Sequence, residues 1–351
     1  MVLIVRHGKK RGRDRPYMQL FLDHVRRHRP GLFDCLHLHE TGGALPGLDG
    51  VRAVVFWLAD PLREWYRSCF EEAVAIAAEA RSRGTPMVNP PEALSNTIKS
   101  AQAKLWREAG IPTPEIRPFA TLKELRTILS DGSYPLLIRP DQGHRRPEAL
   151  RLCRTRSEAG RLDLQEIEYP GAVVQLVDVR EGFRRADPDS ILARYYHKKR
   201  ALIFGPVVRT DELFFSNNLV VKSGTCTFRV YADHPKWLSR IGVGPRIRAE
   251  DRPLIEADID YWRKGSEHQE LFRRAADVLG IQWMALDYAD LADGGVVLWE
   301  ANPYFAVPPL DNMYLIRARM MDRRRLGLYE CASDFLQNLL SPSGGPGTPP
   351  R

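Results

Sequence analysis

The segment Asp287-Tyr288-Ala289-Asp290-Leu291-Ala292-Asp293-Gly294-Gly295-Val296-Val297-Leu298-Trp299-Glu300-Ala301-Asn302-Pro303 constrains the fold more than any other stretch of the chain. Residues 285–288 and 296–300 have the composition of short buried strands, and Ala292-Asp293-Gly294-Gly295 carries the Gly and Asp that a tight reversal needs. An antiparallel hairpin is therefore expected. Side chains alternate along a strand, so Glu300 and Asn302 share one face while Ala301 takes the other. With Asp287, they make a set of hard oxygen donors of the kind magnesium takes, its shell completed by water and nucleotide phosphate. The same residues also suit a hairpin whose acids are simply solvated, and other segments must decide between the two readings.

The first ninety residues alternate strand and helix patterns. Residues 2–5, 35–38, 53–57 and 86–89 read as strands. Between them lie two helical stripes, Tyr17, Leu20, Phe21 and Val25, then Phe70, Ala73, Val74 and Ala77. This alternation predicts a parallel sheet covered by helices. No Gly-x-Gly-x-x-Gly accompanies it, which argues against a dinucleotide site. Pro90-Pro91 breaks the chain, and a helix beginning near Asn96 is expected to turn Ile98, Ala101, Leu105 and Ala109 inward and to stop at Gly110. Thr121 and Glu124 form a capping box ahead of the stripe Leu122, Leu125, Ile128 and Leu129. Strands at 135–139, 150–154 and 172–177, with a helix capped by Ser157, complete a small α+β lobe. From residue 191 the pattern turns to strands at 192–196, 201–208, 219–222 and 226–230, and a helix at 267–279 precedes the hairpin.

With 351 residues, 44% of them hydrophobic, the chain can bury two or three domain cores. No run reaches the roughly 18 apolar residues of a membrane span, and the N-terminal charges follow the apolar stretch instead of preceding it, the wrong order for a signal peptide. The five cysteines, Cys35, Cys69, Cys153, Cys226 and Cys331, are scattered and form no Cys-x-x-Cys pair. Neither a disulfide framework nor a zinc site is indicated, and a cytoplasmic location is expected. His37 and His39 alternate on a strand without a ligand pattern around them and read as ordinary polar positions. The net charge of +8 favours anionic partners. The basic tracts are dispersed, among them Lys198-Lys199-Arg200, and read as solvated faces, with no specific nucleic-acid module beside them. The tail at 341–351 is rich in Pro, Gly and Ser and is expected to be disordered.

The hairpin resembles the C-terminal metal site of the ATP-grasp enzymes, in which Asp, Glu and Asn hold magnesium ions on the ATP phosphates. Ser95-Asn96-Thr97-Ile98-Lys99 through Gly110-Ile111-Pro112-Thr113-Pro114 looks like the segment of glutathione-synthetase and RimK-type carboxylate-amine ligases where a Lys precedes a helix ending in Gly-Ile-Pro-x-Pro. The resemblance runs in order from about residue 51 to 302. It implies a mixed α/β and α+β chain: an N-terminal Rossmann-like pre-ATP-grasp domain at 1–92, a small ATP-binding lobe at 93–177 and a C-terminal ATP-grasp lobe at 178–340. Its implied cofactors are ATP and magnesium, two ions, with Asp287, Glu300 and Asn302 as metal ligands.

The resemblance also implies phosphate contacts from Lys99 and from Arg139, which stands where the family has a Lys. Arg and Lys are not equivalent there, since a guanidinium is bulkier and planar. The following loop has one glycine, Gly143, with His144 as a further phosphate candidate. Gln175, Leu176 and Val177 match the inter-lobe hinge where backbone groups read adenine, although a buried strand is equally consistent with them. Asp178 and Glu181 are candidates for the ribose hydroxyls. Arg194 and Arg209 correspond to arginines facing a substrate carboxylate and the γ-phosphate, and Asn217 to the Asn of the RimK-type Ser-Asn pair. Phe214-Phe215-Ser216 stands where an Arg precedes that pair in the family, which puts the acceptor chemistry in doubt. Alternating Arg and Tyr at 194–196 also suits the wet face of a sheet. The implied reaction activates a carboxylate as an acylphosphate and joins it to an amine of an amino acid or peptide. A nucleotide-binding protein without ligase activity and an ATP-dependent phosphotransferase are the alternatives. Residues 304–309 are a candidate acceptor lining or plain packing.

Overall fold

A computed structural model describes residues 1–8, 15–142, 149–221, 251–305 and 315–341. Its first sheet is parallel, in the order β2-β1-β3-β4, from β1 (Val2–Arg6), β2 (Leu36–Glu40), β3 (Ala53–Trp57) and β4 (Met87–Val88). Val2 to Val5 and Ala53 to Phe56 are buried throughout, as expected of parallel strands covered on both faces. Helices α1 (Arg15–His28), α2 (Pro30–Phe33), α3 (Leu62–Trp65) and α4 (Arg67–Ser82) accompany them.

The helix faces keep Phe21 and Val25, and Ala73 and Ala77, of the expected stripes and differ at the positions beside them. In α1 the buried positions among the described side chains are Met18, Phe21, Leu22, His24 and Val25, and Leu20 is exposed. In α4 they are Cys69, Ala73, Ile76, Ala77 and Ala80. The expected helix at 96–109 is a short 3-10 turn, Ala93–Thr97, followed by α5 (Lys99–Glu108), which buries Lys99, Gln102, Ala103 and Trp106. Ile98, Ala101, Leu105 and Ala109 are only partly covered. The stripe is rotated because two polar residues hold inward positions, for reasons found in the site below.

The second sheet, β5-β8-β6-β7, is antiparallel and joins β5 (Ile116–Phe119), β6 (Leu136–Pro140), β7 (Arg151–Cys153) and β8 (Gly171–Gln175). Its core, Phe119, Leu125, Ile128, Leu129, Leu136, Ile138, Cys153, Ala159, Ile167 and Val173, is its own. The capping box forms as expected at the start of α6 (Leu122–Asp131). The next helix, α7 (Arg156–Ala159), is capped by Thr155 and not by Ser157, the Thr155 side chain accepting from the Glu158 N–H.

The third sheet, β10-β9-β11-β12, is antiparallel: β9 (Tyr196–Phe204), β10 (Val207–Ser216), β11 (Trp283–Asp290) and β12 (Val296–Asn302). Residues 191–194 form a 3-10 turn, not a strand, and the run expected at 201–208 is split by a reversal at Gly205, whose φ is 55°. Residues 219–221 are not in a strand, and the strand expected at 226–230 lies outside the described residues, as does the tail from 342. Helices α8 (Arg180–Ala186), α9 (Arg252–Lys264), α10 (Gln269–Leu279) and α11 (Leu315–Leu340) complete the order. Two apolar cores run through the first and third sheets together. One joins Leu3, Val54 and Phe56 to Trp106, Ile203, Phe272 and Tyr288; the other joins Ile4, Phe21 and Val55 to Phe204, Trp283, Tyr329 and Leu336.

Candidate nucleotide and metal site

The hairpin forms as the sequence predicts, with Asp287 directly opposite Glu300 and Ala285 opposite Asn302. Cross-strand partners share a face, so Asp287, Glu300 and Asn302 all lie on one side of the sheet. On the other flank β9 pairs Arg200 with Asp287, which puts Arg200 and, two residues away, Lys198 on that same face. Asp287 is 2% exposed and accepts from Lys198 Nζ at 2.8 Å, Arg200 Nε at 2.8 Å and Arg200 Nη2 at 3.1 Å. Burial pushes this carboxyl up, but the Arg200 and Lys198 charges and hydrogen bonds outweigh it and hold it below its ordinary value. The charge of Asp287 in turn raises the Arg200 guanidinium against the effect of its own burial. Lys198 and Arg200 also sit 5.1 Å and 5.6 Å from the Phe214 ring.

Glu300 is reached from the opposite side by α5. Lys99 Nζ is 3.1 Å from Glu300 Oε1, with the Lys99 side chain 2% exposed. Gln102, one turn along the same helix, accepts from the Ala301 N–H at 2.8 Å and donates to the Trp299 carbonyl at 3.4 Å. The strand needs this support because the β11–β12 register jumps from Asp287 opposite Glu300 to Tyr288 opposite Leu298, leaving Trp299 as a bulge. Beyond it, Leu298 N–H donates to the Pro112 carbonyl, and Thr113 Oγ1 to the Leu298 carbonyl. Asp141, just past β6, accepts from Ser100 N–H at 2.9 Å and from Ser100 Oγ at 2.5 Å, fixing the N-terminus of α5.

Arg139 lies on the face of the second sheet that its helices leave uncovered. Leu136, Ile138, Val173 and Gln175 point one way, while Leu137, Arg139, Ala172 and Val174 point the other. The Arg139 Nε is buried without a hydrogen-bond partner among the described residues. Burial lowers the pKa of this guanidinium, and the nearby Glu300 and Asp141 charges oppose that. Four cations, Lys99, Arg139, Lys198 and Arg200, thus gather around the two carboxylates of the hairpin. Hard oxygen donors in this number fit magnesium. Among the described residues no group of three or more His, Cys, Asp or Glu surrounds one point, so an ion here would depend on the Asn302 amide, water and phosphate to fill its shell.

Other candidates are placed differently. The Gln175 side chain falls on the helix-covered face, beside Ile128, Asp131 and Ser133 in a cavity of about 210 Å³. The Gln175 and Leu176 N–H groups donate to the Glu115 and Pro135 carbonyls, and Val177 packs with Val179, Ala289, Val297 and Trp299. Asp178 binds Arg180, whose hydrogen bonds hold the carboxyl below its usual range; Arg180 lies over the Tyr196 ring at 4.2 Å. Glu181 pairs with Arg184. Arg194 is exposed on the 3-10 turn and Asn217 is exposed in the bend after β10. Arg209 pairs with Leu202, in the same row as Asn302 but three strands away, roughly 14 Å at the usual strand spacing. It meets α11, 3.7 Å from Cys331 Sγ. His144 lies outside the described residues. Tyr304, two residues past Asn302, meets His7, just past β1, edge-on, ring centroids 5.9 Å apart.

Sequence reasoning missed Lys198 and Arg200. Their signal is the alternation Lys198-x-Arg200 leading into the apolar run at 201–204, which puts both cations on one face of a strand.

No family model matches the sequence, and no curated protein matches it. Solved structures do match in shape. The ATP-grasp ligase PsnB, complexed with precursor peptide PsnA2 and AMPPNP, is similar over 97% of this chain and 97% of its own, with a TM-score of 0.52 at 14% identity. PsnB with a minimal precursor, magnesium and ADP gives 97% and 97%, a TM-score of 0.53 and 15% identity. With a phosphomimetic variant of the minimal precursor, magnesium and ADP, it gives 97% and 98%, 0.53 and 15%. The parallel N-terminal sheet and the two antiparallel sheets that follow it are parts of one architecture: over nearly its full length, this chain has the ATP-grasp fold.

Proposed function

We propose that the chain is an ATP- and magnesium-dependent ligase that activates a carboxylate as an acylphosphate and joins it to an amine of an amino acid or peptide. The observation that carries this reading is the convergence of Lys99, Arg139, Lys198 and Arg200 on Asp287 and Glu300, between two antiparallel sheets of an ATP-grasp fold. A peptide as substrate is supported by PsnB, a ligase of the same fold complexed with a precursor peptide. Magnesium, when bound to Asp287, Glu300 and Asn302, would supply charge neutralisation on the phosphates.

Lys99 and Arg139 hold phosphate oxygens from the side of α5 and the second sheet, and Lys198 and Arg200 hold them from β9. A substrate carboxylate oxygen attacks the γ-phosphorus, the bond to the ADP oxygen breaks, and ADP leaves. The amine nitrogen then attacks the acyl carbon, the carbon–oxygen bond to phosphate breaks, and the amine proton passes to solvent. Lys198 and Arg200 are the cations that steady the oxyanion of that tetrahedral centre, while Arg209 rests against α11. Leu176 and Val177 offer backbone groups to adenine, and Asp178 and Glu181 are the ribose candidates. Arg194, Asn217 and Tyr304 are left for the substrate side.

Trapping with hydroxylamine in the presence of ATP and candidate acids tests the acylphosphate. Glu300→Gln and Arg139→Ala are each expected to abolish ADP release in a folded protein; turnover retained in both would sink the mechanism. The full engagement of Asp287 by two cations favours one further reading, a nucleotide-binding protein without ligase activity. It predicts nucleotide binding with no ADP release under any acid and amine.

A further inference from the structure

The second sheet has two faces, and the one turned away from Arg139 carries a cavity of about 210 Å³ that the nucleotide reading does not use. At about 30 Å³ per liquid water, it has room for about seven waters or for one small solute of similar heavy-atom count. Its floor is apolar, from Ile128, Leu136 and Val173, which belong to the core of this sheet. Helix α6 covers the sheet as far as Asp131. Gly132 then passes so close that a Cβ there would stand 2.7 Å from Leu136 Cδ1 and 2.9 Å from the Ile128 carbonyl oxygen. The cavity lies past this point, over the start of β5 and the end of β8.

Its rim is polar. The Gln175 N–H donates to the Glu115 carbonyl and Arg117 pairs with Val173, so Glu115 and Arg117 project onto the same face, about 7 Å apart along the strand. Among the described residues, neither side chain has a hydrogen bond or ion pair, and the same holds for the side chains of Gln175 and Ser133. Asp131 stands at the C-terminal end of α6, the negative end of the helix dipole, and adds to the acidic side. One cation, two carboxylates and a helix C-terminus thus surround an apolar floor. A simple anion in this cavity would face two carboxylates, and a simple cation would face Arg117. A zwitterion answers both, its ammonium taken by Glu115 and Asp131 and its carboxylate held by the Arg117 guanidinium. Gln175 and Ser133 supply neutral hydrogen bonds, and the floor accepts a short aliphatic side chain.

We propose that this cavity binds a free α-amino acid with a small aliphatic side chain, at a site separate from the reaction centre. The occupant ties the end of α6 to β5 and β8, and β8 runs directly into Leu176 and Val177, so occupancy stiffens the second sheet from the face opposite Arg139. The site does not depend on the reaction proposed above.

Calorimetric titration of the full chain with L-alanine and L-valine tests it, with isobutylamine and isobutyrate as probes that keep one charge each. At least one of the amino acids is expected to bind at least tenfold tighter than both single-charge probes. Arg117→Met and Glu115→Gln are each expected to weaken that binding at least tenfold, and Arg139→Ala to leave it within twofold. Should a rim variant misfold, hydrogen exchange of the wild type decides: the amino acid is expected to slow exchange at 115–117 and 173–176 and to leave 285–302 unchanged. Binding that survives Arg117→Met but is lost in Arg139→Ala would put the amino acid at the reaction centre and overturn the separate site. A single-charge probe that binds as tightly as the amino acid would overturn the zwitterion. Neither heat nor slowed exchange with either amino acid would overturn the proposal outright.

Discussion

Arg200 is held between two acidic neighbourhoods, and the one away from the metal candidates has its own chemistry. On that side β10 bulges between Thr210 and Leu213, and Asp258 of α9 repairs the break by accepting from the Leu213 N–H at 2.8 Å. Asp258 is itself bound by Arg324 of α11 at 2.9 Å. Within this network Glu212 is buried, and burial together with the Asp211 and Asp258 charges pushes its carboxyl up to about 7. His197, one strand over, moves the other way, since burial lowers it to about 3 and its Nε2 accepts from the Asp290 N–H. A raised carboxyl contributes stability that is complete below its unfolded pKa of about 4.5 and is lost as pH rises toward 7. A depressed imidazole contributes stability that is present above about 6.5 and is lost as pH falls toward 3. The two slopes oppose each other over most of this window, so the wild-type profile hides both. Glu212→Gln is expected to unmask a loss of stability on acidification, with a difference from wild type of the order of 2 kcal/mol between pH 4.5 and 7, at about 1.4 kcal/mol per pKa unit. Chemical denaturation at several pH values measures it; parallel curves for the two proteins would remove Glu212 as the titrating group.

Elements explain why the site was only half legible in the sequence. The hairpin was readable because strand alternation and a Gly-containing turn are local, and both register with the observed pairing of Asp287 and Glu300. The buried face of α5 was not, because Lys99 and Gln102 occupy inward positions that an apolar stripe would assign to solvent. Each is inward for a reason beyond the helix, Lys99 for Glu300 and Gln102 for the backbone around the Trp299 bulge. The alternation of Lys198 and Arg200 is visible in the sequence, but their role is not, since their counterion lies 87 or more residues away in the chain. Gln102→Leu leaves the Ala301 N–H buried without its acceptor, and is expected to cost about 1–3 kcal/mol in denaturant unfolding. Because Glu300 lies between the two backbone groups that Gln102 holds, the same variant is expected to weaken magnesium–AMPPNP binding. Gln102→Glu keeps an acceptor for Ala301 and should recover part of the stability; equal losses in the two variants would show that the hydrogen bond to Ala301 is not what matters. At the β9–β10 reversal, Gly205 has φ 55°, and a Cβ there would stand 2.5 Å from Phe335 Cε2 of α11. Gly205→Ala is expected to lower the unfolding free energy by about 1–3 kcal/mol through both the left-handed backbone and the displaced helix; an unchanged denaturant midpoint would mean that α11 yields freely.

At the scale of the whole molecule, the packing divides the chain differently from its order in sequence. The first and third sheets share both large cores, and α5 belongs with them, since Trp106 is fully buried there and donates to the Ala275 carbonyl at 3.0 Å. Asn89, buried at φ 53°, ties the same two parts at the backbone: its Oδ1 accepts from the Gln282 and Trp283 N–H groups and its Nδ2 donates to the Trp283 carbonyl. The second sheet has a separate and smaller core, confined to residues between Phe119 and Val173. Shared burial couples the opening of the first and third sheets, because exposing either strips apolar surface from both, whereas the second sheet can open with little cost to the rest. Among the described residues its ties at the site, such as Asp141 on α5 and Arg139 near Glu300, are polar and lie at one end. Native-state hydrogen exchange is therefore expected to give one common, high opening free energy for β1, β3, β9 and β11, and a lower one for β6 and β8. Magnesium with AMPPNP, bridging Arg139 to the hairpin, is expected to raise the protection of β6 and β8 more than that of β1 and β3. Equal protection of all these strands in the free protein would mean that the second sheet is held as firmly as the shared core, and that phosphate binding does not need to close it.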